Sequence, residues 1–182
     1  MASLPIRVVG DPVLRKRATE ITEIDGALVP LVDDMFVAMY EAPGIGLAAP
    51  QIGVAQRIFV YDLEGGDAPG VLINPVITGT DGEWWFEEGC LSIPGEHFEI
   101  CRPKQIEVTG FDLDGNEVSF EADELMARLF QHELDHLDGR LMLDLLDEDE
   151  AKAARKRVRE RQMGTWEPPP VDKPRRRLSL FS

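Results

Sequence analysis

The segment QHELDHLDG at residues 131–139 places two of the chain's three histidines four residues apart. Side chains at i and i+4 of an α-helix share one face, with Cβ atoms about 5–6 Å apart, so His132 and His136 could ligate one ion. Glu133 lies off that axis, within reach of a water beside the ion. This division of roles recurs in metal-dependent hydrolases with the HExxH motif. The segment therefore predicts an inward-facing helix that carries a catalytic metal site; two ordinary histidines on a helix are the alternative.

The residues before the motif extend this predicted helix. One stripe, at spacing i, i+4, i+7 and i+11, consists of Leu125, Leu129, His132 and His136. Such spacing is typical of the buried face of a helix. Gly139 suits the position just after a helix end, so we expect the helix to run from about Asp123 to Gly139.

The remaining chain predicts a second helix and several strands. An apolar stripe of helical period over 27–40 indicates the helix, which Pro43 and Gly44 end. Short β-rich runs follow at 57–61, 71–77, 83–86 and 106–120, and the last contains Asp114-Gly115, a hairpin turn signal. Because 182 residues suffice for one core, we expect one α+β domain.

Charge divides the chain into an acidic body and a basic end. Residues 1–150 carry 9 Lys and Arg against 31 Asp and Glu, whereas residues 151–182 carry 10 against 3. We predict a catalytic domain over 1–147, followed over 148–182 by a basic helix and a disordered Pro- and Arg-rich tail. The sequence shows neither a secretory signal nor an apolar run that could span a bilayer, which predicts a cytoplasmic protein.

A catalytic metal of this kind needs a third protein ligand and an open position. The longer motif HExxHxxGxxH holds as far as Gly139, but Met142 occupies the place of its third histidine. Glu160 is conceivable, although the arginines around it favour an ion pair. Cys90, in EEGCLSIPG, would supply a thiolate, a strong ligand for borderline and soft divalent ions. A single cysteine is otherwise most often a small buried hydrophobe.

Three segments together resemble the peptide deformylase family: GIGLAAPQIG at 44–53, EGCLSIP at 88–94 and QHELDHLDG at 131–139. With GDPVLRKRA near the N-terminus, the resemblance covers about residues 5–147. It implies small antiparallel β-sheets around a central HExxH helix. It also implies a metal-dependent hydrolase that removes the N-formyl group from the N-terminal methionine of new polypeptides and releases formate.

The resemblance assigns roles to particular residues. The implied metal ligands are Cys90, His132 and His136. Glu133 would be the catalytic acid and base, and Gln51 with the backbone N–H of Leu91 would stabilise the oxyanion. The family favours Fe²⁺ as the divalent ion, and Zn²⁺, Ni²⁺ or Co²⁺ would suit the same ligands.

The glycines beside the motifs have two interpretations. Gly44 and Gly46 either make a turn or, lacking side chains, let a substrate backbone approach closely. Such a backbone could pair with this segment as an added strand, and Gly89 is assigned to the substrate site with them. Three apolar residues would line a methionine pocket, although any core uses the same residue types: Ile45, Leu125 and Leu129. We interpret His97 as a loop residue without a role and Cys101 as a structural thiol.

The resemblance also predicts partners. Family members act on chains that emerge from the ribosome, so the basic residues 152–161 could dock on the ribosome by electrostatics; a solvated helix is the alternative. On the docking hypothesis, truncation after residue 150 should keep turnover on short peptides. Neither DNA nor a membrane is expected as a partner. Two other functions stay open, a metal-dependent peptidase that cuts internal bonds and a non-catalytic metal-binding or ribosome-associated module.

Overall fold

A computed structural model describes residues 4–66 and 68–166 of the chain. These residues form three α-helices, α1 (Val29–Glu41), α2 (Glu124–Leu137) and α3 (Glu148–Gln162). They also form seven strands: β1 (Gly46–Ala48), β2 (Ile58–Tyr61), β3 (Gly70–Asp81), β4 (Trp84–Gly89), β5 (His97–Arg102), β6 (Gln105–Phe111) and β7 (Glu117–Asp123). The predicted α+β class is confirmed. The predicted disordered tail, residues 167–182, lies outside the described residues.

The strands form two antiparallel sheets. Five strands pair in the order β1, β2, β3, β6, β7, and β4 pairs with β5 in a separate two-stranded sheet. The β6–β7 hairpin turns at the predicted Asp114-Gly115, where the φ of Gly115 is +78°. Within the described residues β1 is an edge of the larger sheet, so its outer side is open to a further strand.

Two of the strands are not predicted by the sequence. β1 has only three residues, in a segment of glycine, alanine and proline that favours a loop. β5 contains His97, which therefore lies on a strand rather than in the loop we expected. The strand buries Phe98, Ile100 and Arg102 in alternation. Part of this alternation is visible in HFEICR and would have indicated the strand.

The predicted motif helix is α2. Its buried Phe130 packs against β2, with the ring centroid 5.3 Å from that of Phe59 and 4.8 Å from that of Tyr61. Gly139 follows the helix with φ +72°, and a Cβ at this residue would lie 2.9 Å from the backbone of Arg15. Only glycine fits there without strain. These contacts fix the middle and the C-terminal end of the helix that carries the histidines.

The predicted first helix corresponds to α1. Its buried residues, Val32, Met35, Ala38 and Met39, pack in one core cluster with residues of β1 and β2. This packing holds the edge strand β1 in place beside α2. Among the described residues, no helix has the length and apolar character that crossing a membrane requires.

The basic helix α3 covers a third core cluster. Its buried residues recur at i, i+3 and i+7 and are Ala151, Ala154 and Val158. Ala154 and Val158 belong to the same cluster as Ile93 and Phe98. The helix is therefore docked on the segment that follows Cys90 and is not solvated on every side. The division of the chain at residue 147 stays a prediction.

Candidate metal centre and active site

The three predicted metal ligands converge at one point on α2. The Sγ atom of Cys90 and ring nitrogens of His132 and His136 lie within 4.8 Å of one another. Sγ of Cys90 is 3.3 Å from Nε2 of His136. One helical turn brings the two imidazoles together, and the residue that follows β4 brings the thiol. In the described part of the chain, no second cluster of three such donors is found.

This donor set fits a divalent cation. A thiolate with two imidazoles is a combination that borderline metals favour. Burial lowers the pKa of His136 well below its ordinary value, which favours the neutral imidazole that ligates metals. Burial alone would also lower the pKa of His132, but the thiolate of Cys90 and then the carboxylate of Glu88 raise it well above its ordinary value. The surroundings therefore stabilise positive charge at His132 and favour the neutral ring at His136.

A buried carboxylate that the sequence analysis left without a role supports His132. Oε2 of Glu88 lies 3.1 Å from Nδ1 of His132, and Oε1 accepts a hydrogen bond of 2.6 Å from Nε of Arg102. Arg102 in turn donates to Asp135 over 2.8 Å. Burial by itself would raise the pKa of Glu88, but the hydrogen bonds from His132 and Arg102 bring it down to about 2. Glu88 is therefore ionised and fixes the orientation of the His132 ring, as a carboxylate does behind a metal-ligating histidine.

A second arginine, also not singled out from the sequence, completes this network. Arg128 on α2 is 3% exposed and donates to Glu88 and, over 3.1 Å, to the carbonyl of Ile100. Its guanidinium carbon lies 5.0 Å from the ring centroid of Trp84. The sequence contained a signal for this pair, because Arg128 directly precedes Leu129 on the buried side of the helix. A buried arginine is almost always paired, so its position indicates a buried carboxylate that faces it.

The carboxylate of Glu133 is the predicted acid and base. Glu133 is 4% exposed, and its Oε2 has no hydrogen-bond partner in the described residues. Burial, opposed mainly by the charge of His132, raises the pKa of Glu133 to about 7. A carboxyl group that binds and releases a proton near neutral pH suits general acid and base catalysis.

The predicted oxyanion donors flank Cys90. Gln51 lies in a 3-10 turn, Ala49–Ile52, where its Oε1 accepts the N–H of Ala48 at 2.8 Å. That bond directs Nε2 toward Ser92 Oγ, 3.3 Å away, and Cys90 Sγ, 4.0 Å away. The backbone N–H of Leu91 donates to no residue in 4–66 or 68–166. Both groups are thus donors held beside the predicted metal ligands, which is the arrangement that the predicted oxyanion hole requires.

The predicted glycines are packed against site residues. A Cβ on Gly46 would lie 2.6 Å from Oε1 of Glu133, and one on Gly44 would lie 2.8 Å from Cδ1 of Leu91. A Cβ on Gly89 would lie 2.9 Å from the ring of His97. These close approaches explain each glycine without a substrate, and contact with a substrate backbone stays a prediction.

A cavity of about 450 Å³ is lined by the predicted site residues other than His136. It is lined by Glu133, Gln51, Cys90, His132 and Leu91, by the three predicted glycines, and by Ile45, Leu125 and Leu129. Ile45 is 44% exposed and Leu125 is 42% exposed, whereas Leu129 is buried. The first two are therefore wall rather than core residues. Phe86, which is 42% exposed and was not predicted, lines the same wall.

The other candidate ligands, Met142 at the place of a third histidine and Glu160, lie outside the cluster of three donors, and so do His97 and Cys101. Met142 is 1% exposed in the third core cluster. Glu160 lies on α3, 3.7 Å from Nζ of Lys156. His97 lines the cavity but is not among the converging donors, and Cys101 is a half-buried free thiol on β5.

Comparison with known proteins adds independent support. Residues 3–152 match the sequence model of a family described as polypeptide deformylase. A peptide deformylase from Agathobacter rectalis is 48% identical over 147 residues, which cover 81% of this chain and 92% of that one. The crystal structure of a peptide deformylase from Legionella pneumophila superposes with a TM-score of 0.86 at 37% identity, covering 92% of this chain and 100% of that one. The crystal structure of the Ehrlichia chaffeensis peptide deformylase in complex with actinonin superposes with a TM-score of 0.84 at 37% identity. The match covers 89% of this chain and 99% of that one.

Proposed function

The chain belongs to the peptide deformylase family, metal-dependent enzymes that remove the N-formyl group from nascent polypeptides, and we propose how its own residues perform this reaction. In this proposal Cys90, His132 and His136 hold one divalent ion, and Glu133 transfers the protons. The observation that carries the proposal is the convergence of three donors within 4.8 Å beside a buried carboxylate oxygen without a partner.

The oxyanion donors act on the formyl group. When bound, a divalent ion supplies Lewis acidity, which lowers the pKa of a nearby water and polarises the formyl carbonyl. Nε2 of Gln51 and the N–H of Leu91 donate hydrogen bonds to the carbonyl oxygen as negative charge develops on it. Both donors are fixed before the substrate arrives, so no reorganisation is needed in the transition state.

Glu133 moves the proton in two steps. It takes a proton from the attacking water while the water oxygen bonds to the formyl carbon. It then gives this proton to the departing α-amine as the carbon–nitrogen bond breaks, which yields formate and a free amino terminus. A pKa of about 7 suits both steps, because the carboxyl group can hold and release the proton near neutral pH.

The cavity is proposed to receive the methionine side chain. Ile45, Leu125 and Leu129 present apolar surface there, and an extended substrate could pair with the open edge of β1. Because the Ehrlichia chaffeensis relative was solved with actinonin, we infer that actinonin also binds in this cavity. We further propose Fe²⁺ as the ion in the cell and the cytoplasm as the location. Metal analysis of anaerobically purified protein tests the first of these two points.

Ribosome docking is proposed for the outer face of α3. Four exposed cations recur there at i, i+3, i+4 and i+7: Lys152, Arg155, Lys156 and Arg159. They face a groove that Arg15 and residues 9–12 share. A stripe of one sign is suited to phosphate groups of RNA.

The experiment is a formate-release assay. The metal-loaded protein should release formate from a formyl-Met peptide, stop after chelation, and leave the unformylated peptide intact. Cleavage of internal bonds would instead favour the peptidase alternative. Glu133→Gln should keep the metal and lose about 10²–10⁴-fold in kcat, whereas Glu124→Gln, an exposed glutamate on the same helix, should change little. A non-catalytic module would show no activity in any of these proteins.

A further inference from the structure

The segment that follows Cys90 has the substrate cavity on one side and α3 on the other. Leu91, Pro94, Gly95 and Glu96 line the cavity. Ile93, between them, is fully buried in the cluster that contains Ala154 and Val158 of α3. The position of this segment, residues 91–97, therefore depends on how α3 is docked.

The strongest polar link between the two is the carboxylate of Glu96. Glu96 is 5% exposed although it belongs to a surface loop. Both of its oxygens accept hydrogen bonds from Nε of Arg157, at 3.1 and 2.9 Å, and Arg161 also donates to it. A carboxylate shared by two guanidinium groups is held in a fixed geometry, unlike an exposed ion pair, which contributes little.

Arg161 extends this link along the segment. Its Nη1 lies 3.4 Å from the carbonyl of Pro94, and its guanidinium lies flat against Gly95, where a Cβ would be 3.2 Å from the guanidinium carbon. The φ of Gly95 is +76°, a conformation that glycine adopts readily. The ring of Trp166 covers the same guanidinium at 4.4 Å. Three consecutive residues of the cavity wall are thus held by one arginine of α3.

A second docking contact of α3 serves as a comparison. Arg155 forms an ion pair with Asp144 at 3.5 Å, and its side chain is 45% exposed. This pair joins α3 to the 3-10 turn Met142–Leu145 and does not touch residues 91–97. Loss of either contact should loosen the helix, but only one of them holds the cavity wall.

We propose that Glu96 is a positioning residue for the deformylation reaction: by holding Arg157 and Arg161, it fixes residues 91–97 on α3 and keeps the Leu91 N–H aimed at the developing oxyanion. The inference rests on the proposed role of Leu91. It assigns α3 to the catalytic unit, beyond residue 147. Truncation after residue 150 is then no longer expected to leave turnover on short peptides unchanged, because it removes both arginines.

The test compares variants on the two docking contacts in the metal-loaded protein. Arg161→Ala and Glu96→Ala should lower kcat for a formyl-Met tripeptide by about tenfold, since a misplacement of 1 Å can cost roughly 10²-fold. KM and metal content should stay near wild type, because an oxyanion donor acts mainly in the transition state. Asp144→Asn, which weakens the pairs of Asp144 with Arg155 and Arg15, should lower Tm but keep kcat within about twofold.

A double variant tests whether the two residues act as one unit. Glu96→Ala with Arg161→Ala should lose less kcat than the product of the two single losses, because both changes break the contact between Glu96 and Arg161. The proposal is overturned if Arg161→Ala and Asp144→Asn show equal kcat, or if the fold losses of the two single variants multiply in the double variant. Should Glu96→Ala fail to fold, the kcat of Arg161→Ala alone tests the proposal. That variant should still fold, because Arg157 continues to pair with the buried carboxylate of Glu96. A wild-type protein that releases no formate would refute the proposed function instead.

Discussion

Nδ1 of His132 lies 3.1 Å from Oε2 of Glu88, a residue 44 positions earlier in the chain. Because this contact occupies Nδ1, the other ring nitrogen is left to face Cys90. The same carboxylate is held by Arg102 and Arg128, so the orientation of one proposed metal ligand depends on a buried network that joins β4, β5 and α2.

Replacing Glu88 should therefore weaken metal binding. Glu88→Gln keeps the shape of the side chain but removes the charge that holds His132, and outer partners of this kind typically contribute about 10–100-fold in metal affinity. Competition with a chromophoric chelator for Co²⁺ would measure the affinity. Glu87→Gln, the exposed neighbour on β4, is the matched control. Equal affinities in the two variants would contradict the assigned role.

Removing the amide of Gln51 should slow the chemical step. Gln51→Met keeps most of the volume and lacks the Nε2 donor, so we expect kcat to fall about 10²–10³-fold with little change in KM. Steady-state formate release measures both constants. Gln56→Met, five positions later, is the control. A rise in KM at constant kcat would show that Gln51 binds substrate and transition state equally.

Local patterns predicted the parts of the site that one helix can encode. The i, i+4 spacing of His132 and His136 requires only helical geometry, and the turn signal at Asp114-Gly115 acts between neighbouring residues. Cys90 is different, because no spacing rule connects a thiol to a histidine 46 residues away. Its assignment as a ligand needed the family resemblance, and the structure then brought the three donors together.

Long-range ion pairs explain most of what the sequence did not reveal. Glu96 and Arg157 are 61 residues apart, and nothing in either local segment indicates that they meet. The charges of α3 also obscured its buried stripe, which consists of small residues, Ala151 and Ala154, and one valine. The strongly basic composition of α3 therefore suggested a helix at the periphery. In the structure α3 is docked on the cavity wall.

The contribution of Glu96 to stability should depend on pH. Burial would raise its pKa, but Arg157 and Arg161 lower it below the ordinary value of 4.5. A lowered pKa contributes stability that is present above the unfolded-state value and is lost as pH falls through the folded-state value. The difference in Tm between wild type and Glu96→Gln should be full near pH 7 and shrink below pH 4.5. The difference in Tm between wild type and Arg157→Ala should shrink over the same pH range. If either difference in Tm stayed constant with pH, the assigned ion pair would be contradicted.

Charge reversal on the outer face of α3 should separate ribosome binding from catalysis. Lys152 and Arg159 are exposed, and neither forms an ion pair with a residue in 4–66 or 68–166. Lys152→Glu with Arg159→Glu should weaken co-sedimentation with ribosomes at low salt and flatten its salt dependence, because fewer phosphate contacts release fewer counterions. Turnover on a short formyl-Met peptide should not change, since Glu96 keeps both of its arginines. Reversal of Lys16 and Arg17, exposed cations that do not line the groove beside α3, is the matched control, and equal binding by the two double variants would refute docking through this stripe.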